Sequence, residues 1–200
     1  MYRVIKRILN LLCSFVGVIV LSPFFLIISL LIKVTSKGPV FFVHERVGLN
    51  GKKFKLIKFR TMVNNAEEMI ASFSPEQKKE WEENYKLKDD PRITKIGKFL
   101  RRTSLDELPQ LINILKGDMS IVGPRPVVDE ELNWYGDKKD KLLSVKPGLT
   151  GWWAVNGRSN VPYPERCDLE LYYVDHISFA LDAIIILKTL GTIIKKDGAR

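Results

Sequence analysis

Residues 8–32, ILNLLCSFVGVIVLSPFFLIISLLI, form an apolar run that contains no charged residue. At about 1.5 Å per residue, a helix of this length can cross a hydrocarbon core of roughly 30 Å. The run is too long for the apolar region of a signal peptide, and no small-x-small cleavage site follows it. It also lacks a polar face over three or more turns, which argues against a helical hairpin in a soluble core. The sequence therefore predicts a membrane segment.

Ser22-Pro23 lies in the middle of this run. Proline removes a helix hydrogen bond and clashes with the preceding turn, so we expect the helix to break at this pair. The Ser22 hydroxyl could donate to a carbonyl that Pro23 leaves free. Each half, at about 15 residues or fewer, would be roughly 22 Å long or less, too short to cross the membrane alone.

Positive charges lie on both sides of the run, at Arg3, Lys6 and Arg7 before it and at Lys33 and Lys37 after it. Lys and Arg are enriched in cytoplasmic segments, so both ends of the run fit the cytoplasmic face. We therefore predict a re-entrant helix-break-helix over residues 1–36, with residues 37–200 at the cytoplasmic face. A kinked helix that spans the membrane is the alternative.

The composition indicates an anionic partner. The 200 residues suffice for one domain with an appendage, and 32 Lys and Arg stand against 23 Asp and Glu, a net charge of +9. Phosphate, nucleotide and lipid head group fit this charge better than nucleic acid, because no zinc-binding spacing, heptad or RNA-binding aromatic motif is present. Cys13 and Cys167 are far apart, which argues against a disulfide framework and fits a reducing compartment.

A β-hairpin is predicted after the membrane segment. Residues 40–43 and 53–62 have the composition of strands, and Asn50-Gly51 between them is typical of a hairpin turn. The even-numbered face of the second strand carries two apolar residues and then Lys58 and Arg60. Either a bulge turns these two charges to solvent, or they stand at the end of an apolar face, ready for phosphate.

Residues 64–92 form a helical appendage by composition, in which Ser74-Pro75 marks a second helix start. A short amphipathic helix follows over residues 93–100, and the basic pair Arg101-Arg102 follows it. The cations therefore stand directly before the two acidic residues of the next segment.

Asp106-Glu107 is the candidate catalytic pair. Ser104 and Glu107 have the spacing of a capping box, and Asp106 as the N-cap would instead put Pro109 within the first turn. Either arrangement sets both carboxylates at the positive end of a helix. Beside so many cations a carboxylate is expected to keep a low pKa, which suits a nucleophile or a Mg²⁺ ligand better than a general acid.

Two later segments carry further candidates. In Gly123-Pro124-Arg125-Pro126 the prolines stiffen the backbone around Arg125, whose planar guanidinium suits phosphate; a plain turn is the alternative. Residues 146–159 are rich in Gly and Trp and include Arg158; their indoles could hold a nucleobase, ribose or sugar, or anchor the chain at a membrane interface. Residues 169–196 read as a long helical region, either interfacial or buried in a core.

Taken together, these residues resemble the bacterial sugar transferase family, the monotopic polyprenyl-phosphate phosphoglycosyl transferases. The resemblance runs nearly end to end, and residues 64–92 look like the hexose-1-phosphate branch. Its carriers are Ser22-Pro23, Gly38-Pro39-Val40-Phe41-Phe42, Lys58-Phe59-Arg60-Thr61-Met62, Ser104-Leu105-Asp106-Glu107-Leu108-Pro109-Gln110, Gly117-Asp118-Met119-Ser120, Val122-Gly123-Pro124-Arg125-Pro126 and Pro147-Gly148-Leu149-Thr150-Gly151.

The resemblance implies an α/β fold, mainly helical with a small β-hairpin or sheet, a re-entrant helix broken at Ser22-Pro23 and interfacial amphipathic helices. It implies transfer of a hexose-1-phosphate, glucose or galactose, from a UDP-sugar to polyprenyl phosphate at the cytoplasmic face of the bacterial inner membrane. Asp106 would be the nucleophile, Glu107 would assist, and both could hold Mg²⁺. We expect phosphate or nucleotide contacts from Lys58, Arg60, Arg102, Arg125 and Arg158.

The resemblance also allows a homodimer, and it leads us to expect a minimal catalytic unit without the multi-span extension of longer relatives. Two alternatives belong to other classes of protein. One is a catalytically silent membrane adaptor of glycan assembly, and the other is a phosphatase that acts on lipid phosphates.

Overall fold

The structure is a computed structural model that describes residues 1–84, 87 and 89–195. It confirms a mainly helical α/β fold with two small two-stranded sheets. The helices are α1 (Tyr2–Thr35), α2 (Pro75–Asn84), α3 (Lys95–Thr103), α4 (Gln110–Lys116), α5 (Lys139–Leu142), α6 (Trp152–Val155), α7 (Glu165–Asp175) and α8 (Phe179–Lys195). The strands are β1 (Phe41–Val47), β2 (Lys53–Phe59), β3 (Ser120–Val122) and β4 (Gly148–Thr150).

Helix α1 contains Pro23 but continues through it. The hydroxyl of Ser22 donates to the carbonyl of Ile19 at 2.7 Å. This carbonyl is the one that a backbone N–H at position 23 would bind, so the serine replaces the missing donor, as the sequence predicts. The predicted interruption of the helix is not seen, because the helical conformation persists on both sides of the pair. Re-entry into one leaflet stays a prediction.

Among the described residues, α1 is the one helix long and apolar enough to cross a membrane by length and composition. Only 11% of its most apolar stretch is buried within the protein, so it is not the core helix of a soluble domain. Large apolar side chains are exposed along its whole length: Val4, Ile8, Leu9, Leu12, Phe15, Val16, Ile19, Val20, Phe24, Leu26, Ile27, Leu30, Leu31 and Val34.

The first half of α1 binds the rest of the protein through polar side chains. Lys6 donates to the hydroxyl of Tyr173 at 2.6 Å and pairs with Asp182 at 2.9 Å. Further along the helix, the buried Asn10 donates to the hydroxyl of Ser120 at 2.8 Å. These contacts join the start of the chain to segments more than 100 residues later.

The second half of α1 packs through apolar side chains instead. Ile28 and Ile32 are buried in one cluster with Phe59 of β2 and Leu100 of α3. Both ends of α1 therefore lie against the same domain.

The hairpin of β1 and β2 is confirmed. The strands pair antiparallel in regular register from Phe41 opposite Phe59 to Val47 opposite Lys53. Asn50 and Gly51 turn the chain with positive φ values of 54° and 78°, which Asn and Gly tolerate best. No bulge interrupts the paired strands, so Lys58 lies on the same face of β2 as the buried Phe54 and Leu56.

Helix α4 is fixed to the edge of β2 by one side chain. The fully buried Asn113 accepts a hydrogen bond from the Ile57 backbone N–H at 3.0 Å and donates to the Lys55 carbonyl at 2.7 Å. Its amide therefore takes the place of a neighbouring strand. Helix α4 ends at Gly117, which adopts φ 95° and whose backbone N–H donates to the carbonyls of Asn113 and Ile114.

The second sheet brings two glycine-rich segments together. Strands β3 and β4 pair in parallel. A Cβ on Gly148 would lie 2.1 Å from the backbone nitrogen of Gly123, a distance that no side chain tolerates. The two glycines thus permit the approach that sets the Pro-Arg-Pro segment beside the Gly/Trp segment.

The remaining helices match the sequence in part. Ser74 and Gln77 cap α2 reciprocally, because the side chain of each accepts a hydrogen bond from the backbone N–H of the other. Residues 85, 86 and 88 of the predicted appendage lie outside the described residues.

The long C-terminal region is two helices, α7 and α8, and Lys196 lies beyond the described part. On α8, Leu181 and Ile185 are buried whereas Ile184, Ile186, Leu187 and Leu190 are exposed. One face is therefore core, and an interfacial position of the other stays a prediction. The division into residues 1–36 and 37–200 also stays a prediction.

Candidate active site

Asp106 and Glu107 lie in a short 3-10 turn, Leu105–Glu107, between α3 and α4. The predicted caps are wrong. Ser104 adopts φ 57° and ends α3, and its side chain caps no helix; α4 begins only after Pro109. The chain must turn sharply between two helices here, which the left-handed conformation of Ser104 achieves. Its hydroxyl is therefore available to accept a hydrogen bond from Arg158 at 3.1 Å.

Lys58 reaches the acidic pair from β2. Its ammonium donates to Glu107 Oε1 at 2.7 Å, and both side chains are about one quarter exposed. The neighbouring even-numbered residues Phe54 and Leu56 are buried under α4, so the same face directs Lys58 inward. The structure thus places Lys58 at the apolar end of the strand face, and the alternative that it turns to solvent is wrong.

The two carboxyl groups have opposite pKa shifts. Burial and the adjacent charge of Glu107 raise the pKa of Asp106 above its ordinary value, although Lys58 and Arg101 oppose this. Burial also acts to raise the pKa of Glu107, but the charge and hydrogen bond of Lys58, with the charges of Arg125 and Arg158, bring it below its ordinary value. The predicted low pKa therefore holds for Glu107 and is wrong for Asp106, which is only 9% exposed.

Of the two adjacent arginines, Arg101 is the one whose charge acts on Asp106. Arg101 donates through Nε to the hydroxyl of Thr61 at 2.9 Å, and its charge lowers the pKa of Asp106. Gly97 allows α3 to pack closely against the backbone of Thr61, since a Cβ at position 97 would lie 1.9 Å from the Thr61 carbonyl oxygen. Arg102 is exposed to solvent. A substrate contact by Arg102 stays a prediction.

Arg60, predicted to bind phosphate, holds the end of α1 in this structure. Its guanidinium is buried and donates to the Ser36 carbonyl at 3.0 Å, to the Ser36 hydroxyl at 2.9 Å and to the Lys37 carbonyl. These oxygens lie at the end of α1, where a cation satisfies free carbonyls and offsets the helix dipole. A contact of Arg60 with substrate stays a prediction.

Arg125 and Arg158 complete the cationic surroundings of the pair. Both charges lower the pKa of Glu107. The guanidinium of Arg125 lies 5.6 Å from the centre of the buried Trp153 ring. The guanidinium of Arg166 lies 4.4 Å from the centre of the same ring. Trp153 therefore supports arginines rather than forming a free platform for a nucleobase or an anchor in the membrane interface.

A magnesium ion would need ligands beyond the protein. Among the described residues, no group of three or more His, Cys, Asp and Glu side chains could hold a metal. Asp106 and Glu107 supply two adjacent carboxylates, and Mg²⁺ commonly binds through one or two carboxylates together with substrate phosphates and water. The pair therefore fits a magnesium ion that arrives with a phosphate-bearing substrate.

The fold and the site define a class of protein: a chain attached to a membrane by an apolar helix, with a buried carboxylate among cations suited to phosphate. Comparison with known proteins is consistent with this class. Residues 1–196 match the model of the family described as bacterial sugar transferase. The chain belongs to the bacterial sugar transferase family.

Three relatives illustrate the similarity. An undecaprenyl-phosphate galactose phosphotransferase of Salmonella typhimurium is 47% identical over 201 residues, which cover 98% of this chain and 42% of that protein. The exopolysaccharide production protein ExoY of Sinorhizobium fredii is 43% identical over 197 residues, 97% of this chain and 87% of that protein. A UDP-N-acetylgalactosamine-undecaprenyl-phosphate N-acetylgalactosaminephosphotransferase of Aeromonas hydrophila is 36% identical over 209 residues, 100% of this chain and 46% of that protein. The chain thus spans less than half the length of two of these three relatives.

Sequence reasoning missed several residues that shape the site. Asn113 fixes α4, and with it the turn of Asp106, to β2. Arg166 and Glu170 are buried on α7 although both carry charges. Their spacing of four residues, on the same helical face as Cys167 and Leu171, is a pattern that could have revealed a buried ion pair.

Proposed function

We propose that this protein transfers a sugar-1-phosphate from a UDP-sugar to a polyprenyl phosphate through a covalent intermediate on Asp106. The observation that carries the proposal is the buried Asp106 beside Glu107, with Lys58, Arg101 and Arg125 acting on the pair. The names of the relatives from Salmonella and Aeromonas, which are undecaprenyl-phosphate sugar phosphotransferases, support the reaction class.

In the first step, the Asp106 carboxylate attacks the sugar-proximal phosphorus of the UDP-sugar. A bond forms between Asp106 and that phosphorus, and the bond to the bridging oxygen breaks, so UMP leaves with the electron pair. Burial serves this step because a desolvated carboxylate is a better nucleophile and water is kept from the intermediate. Lys58, Arg101, Arg125 and Arg158 stabilise the charge on the phosphoryl oxygens.

In the second step, the polyprenyl phosphate attacks the same phosphorus. The bond to Asp106 breaks, and the free carboxylate returns as polyprenyl diphosphate sugar forms. Glu107, whose lowered pKa keeps it ionised, orients the acceptor phosphate through Lys58 or takes its proton. A magnesium ion held by Asp106, Glu107 and the phosphates would neutralise part of the phosphate charge.

The donor is proposed to be UDP-galactose or UDP-glucose, and the acceptor undecaprenyl phosphate. The experiment is a panel of UDP-sugars, including UDP-N-acetylgalactosamine, incubated with the purified full chain, undecaprenyl phosphate and Mg²⁺. We expect UMP release with a UDP-hexose, dependent on the lipid acceptor for turnover. Release of inorganic phosphate from the lipid without any nucleotide sugar would favour a phosphatase. Lack of any turnover, with cellular function retained after loss of both carboxylates, would favour an adaptor.

We also propose that both ends of α1 lie at the cytoplasmic face of the inner membrane. Lys6 near the start of this 34-residue helix and Ile32 near its end both contact residues of the same domain. A helix crossing the bilayer would carry these two contacts to opposite sides. A homodimer remains a prediction of the family resemblance.

Single cysteines at positions 3 and 37 test this topology. They are introduced after Cys13, which is exposed, and the buried Cys167 have been replaced. A membrane-impermeant maleimide is expected to label both positions in inverted vesicles and neither in intact spheroplasts. Labelling of the two positions from opposite sides would rule out re-entry.

A further inference from the structure

The segment 125–128, which carries Arg125, is held by hydrogen bonds at each of its four residues. The backbone N–H of Arg125 donates to Glu170 Oε2 at 3.1 Å, and that of Val128 donates to Glu131 Oε2 at 3.0 Å. Between them, the Pro126 carbonyl accepts from Arg46 at 3.4 Å and the Val127 carbonyl accepts from the backbone of Val47 at 2.9 Å. The two prolines restrict the segment's own dihedral angles, and these bonds fix its place in the domain.

Arg166 connects the two glutamates that hold the ends of this segment. Its guanidinium is 3.8 Å from Glu170 Oε1 and 3.6 Å from Glu131 Oε1, so it pairs with the carboxylate oxygens that do not bind the segment. The rings of Trp153 and Tyr163 lie 4.4 Å and 4.7 Å from it. The arginine therefore offsets the cost of burying two carboxylates while leaving their other oxygens to the backbone.

Burying a carboxyl group and a guanidinium costs free energy unless both are paired. Glu170 is 1% exposed and Arg166 is 6% exposed. Both lie on α7, and neither is part of the reaction described above. Their contacts lead instead to Arg125, whose guanidinium shares the ring of Trp153 with Arg166.

We propose that Glu170 and Glu131 are positioning residues that fix the backbone of residues 125–128 and thereby set where the Arg125 guanidinium meets the phosphates of the donor. The inference rests on the proposed function, since it assigns Arg125 to the donor. It adds that Glu170 on α7 and Glu131 set the position of Arg125 in the donor site by accepting backbone hydrogen bonds, and not by their charge alone.

The test compares Glu170→Gln, which keeps an acceptor, with Glu170→Leu, which removes it. With UDP-galactose and undecaprenyl phosphate, we expect Glu170→Leu to raise the KM for the donor about tenfold with less than about threefold change in kcat, because a buried N–H loses its partner. Glu170→Gln should restore a KM near that of the wild type. Asp168→Leu, an exposed acidic residue on the same helix, is the matched control and should leave KM unchanged.

A double-mutant cycle separates positioning from general stability. In an Arg125→Ala background, Glu170→Leu should not raise KM further, since both changes act on one contact. If Glu170→Leu does not fold, Glu131→Leu and Glu131→Gln form the second pair, as Glu131 is 23% exposed and tolerates replacement better. Equal effects of the Leu variants in both backgrounds, or an unchanged KM, would overturn the inference.

The affinity of the same variants for UDP, measured by calorimetry, tests the positioning role separately from the proposed function. Weaker UDP binding in Glu170→Leu, restored in Glu170→Gln, supports positioning even without turnover. Binding of UDP that is independent of residue 170 contradicts the positioning role alone. A wild-type chain that neither binds UDP nor releases UMP contradicts both proposals.

Discussion

Asp106→Asn is expected to abolish the release of UMP, by about 10³-fold or more, because an amide cannot form the covalent bond to phosphorus on which both steps depend. Asparagine has nearly the shape of aspartate, so the buried turn should keep its structure. Removing a buried carboxyl group whose pKa is already raised by burial should cost no stability at neutral pH. The measurement is UMP release under multiple-turnover conditions, together with intact-mass analysis of enzyme quenched after mixing with the donor alone.

Two controls make this result specific. Asp137→Asn changes an exposed acidic residue of a different element, the 3-10 helix Glu130–Lys138, and should retain full activity. Glu107→Gln should be strongly impaired in turnover yet still gain the mass of a phospho-sugar when mixed with donor, because the nucleophile remains. Full turnover by Asp106→Asn, or a mass gain that survives in it, would contradict the assignment of the nucleophile.

Lys58→Gln should lower kcat/KM by about 10²-fold and move the acid limb of its pH profile to higher pH. Lys58 donates to Glu107 at 2.7 Å, and its charge lowers the pKa of both carboxyl groups. Without it both pKa values rise, so a smaller fraction of Asp106 is ionised at any acidic pH, and the reaction needs the ionised form. The measurement is kcat/KM for the donor across the range from acidic to neutral pH.

Lys55→Gln is the matched control for this prediction. Lys55 lies three residues earlier on the same strand and is exposed, so its loss should change neither the rate nor the pH profile. A profile of Lys58→Gln that keeps its acid limb while the rate falls would show that Lys58 contacts substrate without tuning the carboxyl groups. An acid limb displaced to lower pH would contradict the electrostatic account.

The local features of the fold could be predicted from the sequence because they depend on a few neighbouring residues. The hairpin turn at Asn50-Gly51, the reciprocal cap at Ser74 and the Gly117 end of α4 all follow from residues within one turn of the chain. The inward direction of Lys58 was one of two alternatives, and the regular register of the hairpin decides between them.

The surroundings of each charged residue depend on contacts between distant segments. Arg60 and Arg102 carry the same charge in the sequence, but Arg60 binds the end of α1 whereas Arg102 is exposed. The pKa of Asp106 depends on its burial, which no local pattern of charges reveals. The pattern of charged residues in the sequence therefore identifies the region of the site but not the contacts that each residue makes there.

The polar contacts of α1 have a consequence for how the chain is made. Translation delivers this helix before the segments that hold it, since Lys6 bonds Tyr173 and Asn10 bonds Ser120, which lie 167 and 110 positions later. These contacts can form only after their partners have left the ribosome. The packing of α1 against the rest of the protein therefore waits for the synthesis of residues 120–182, although the helix precedes them in the chain.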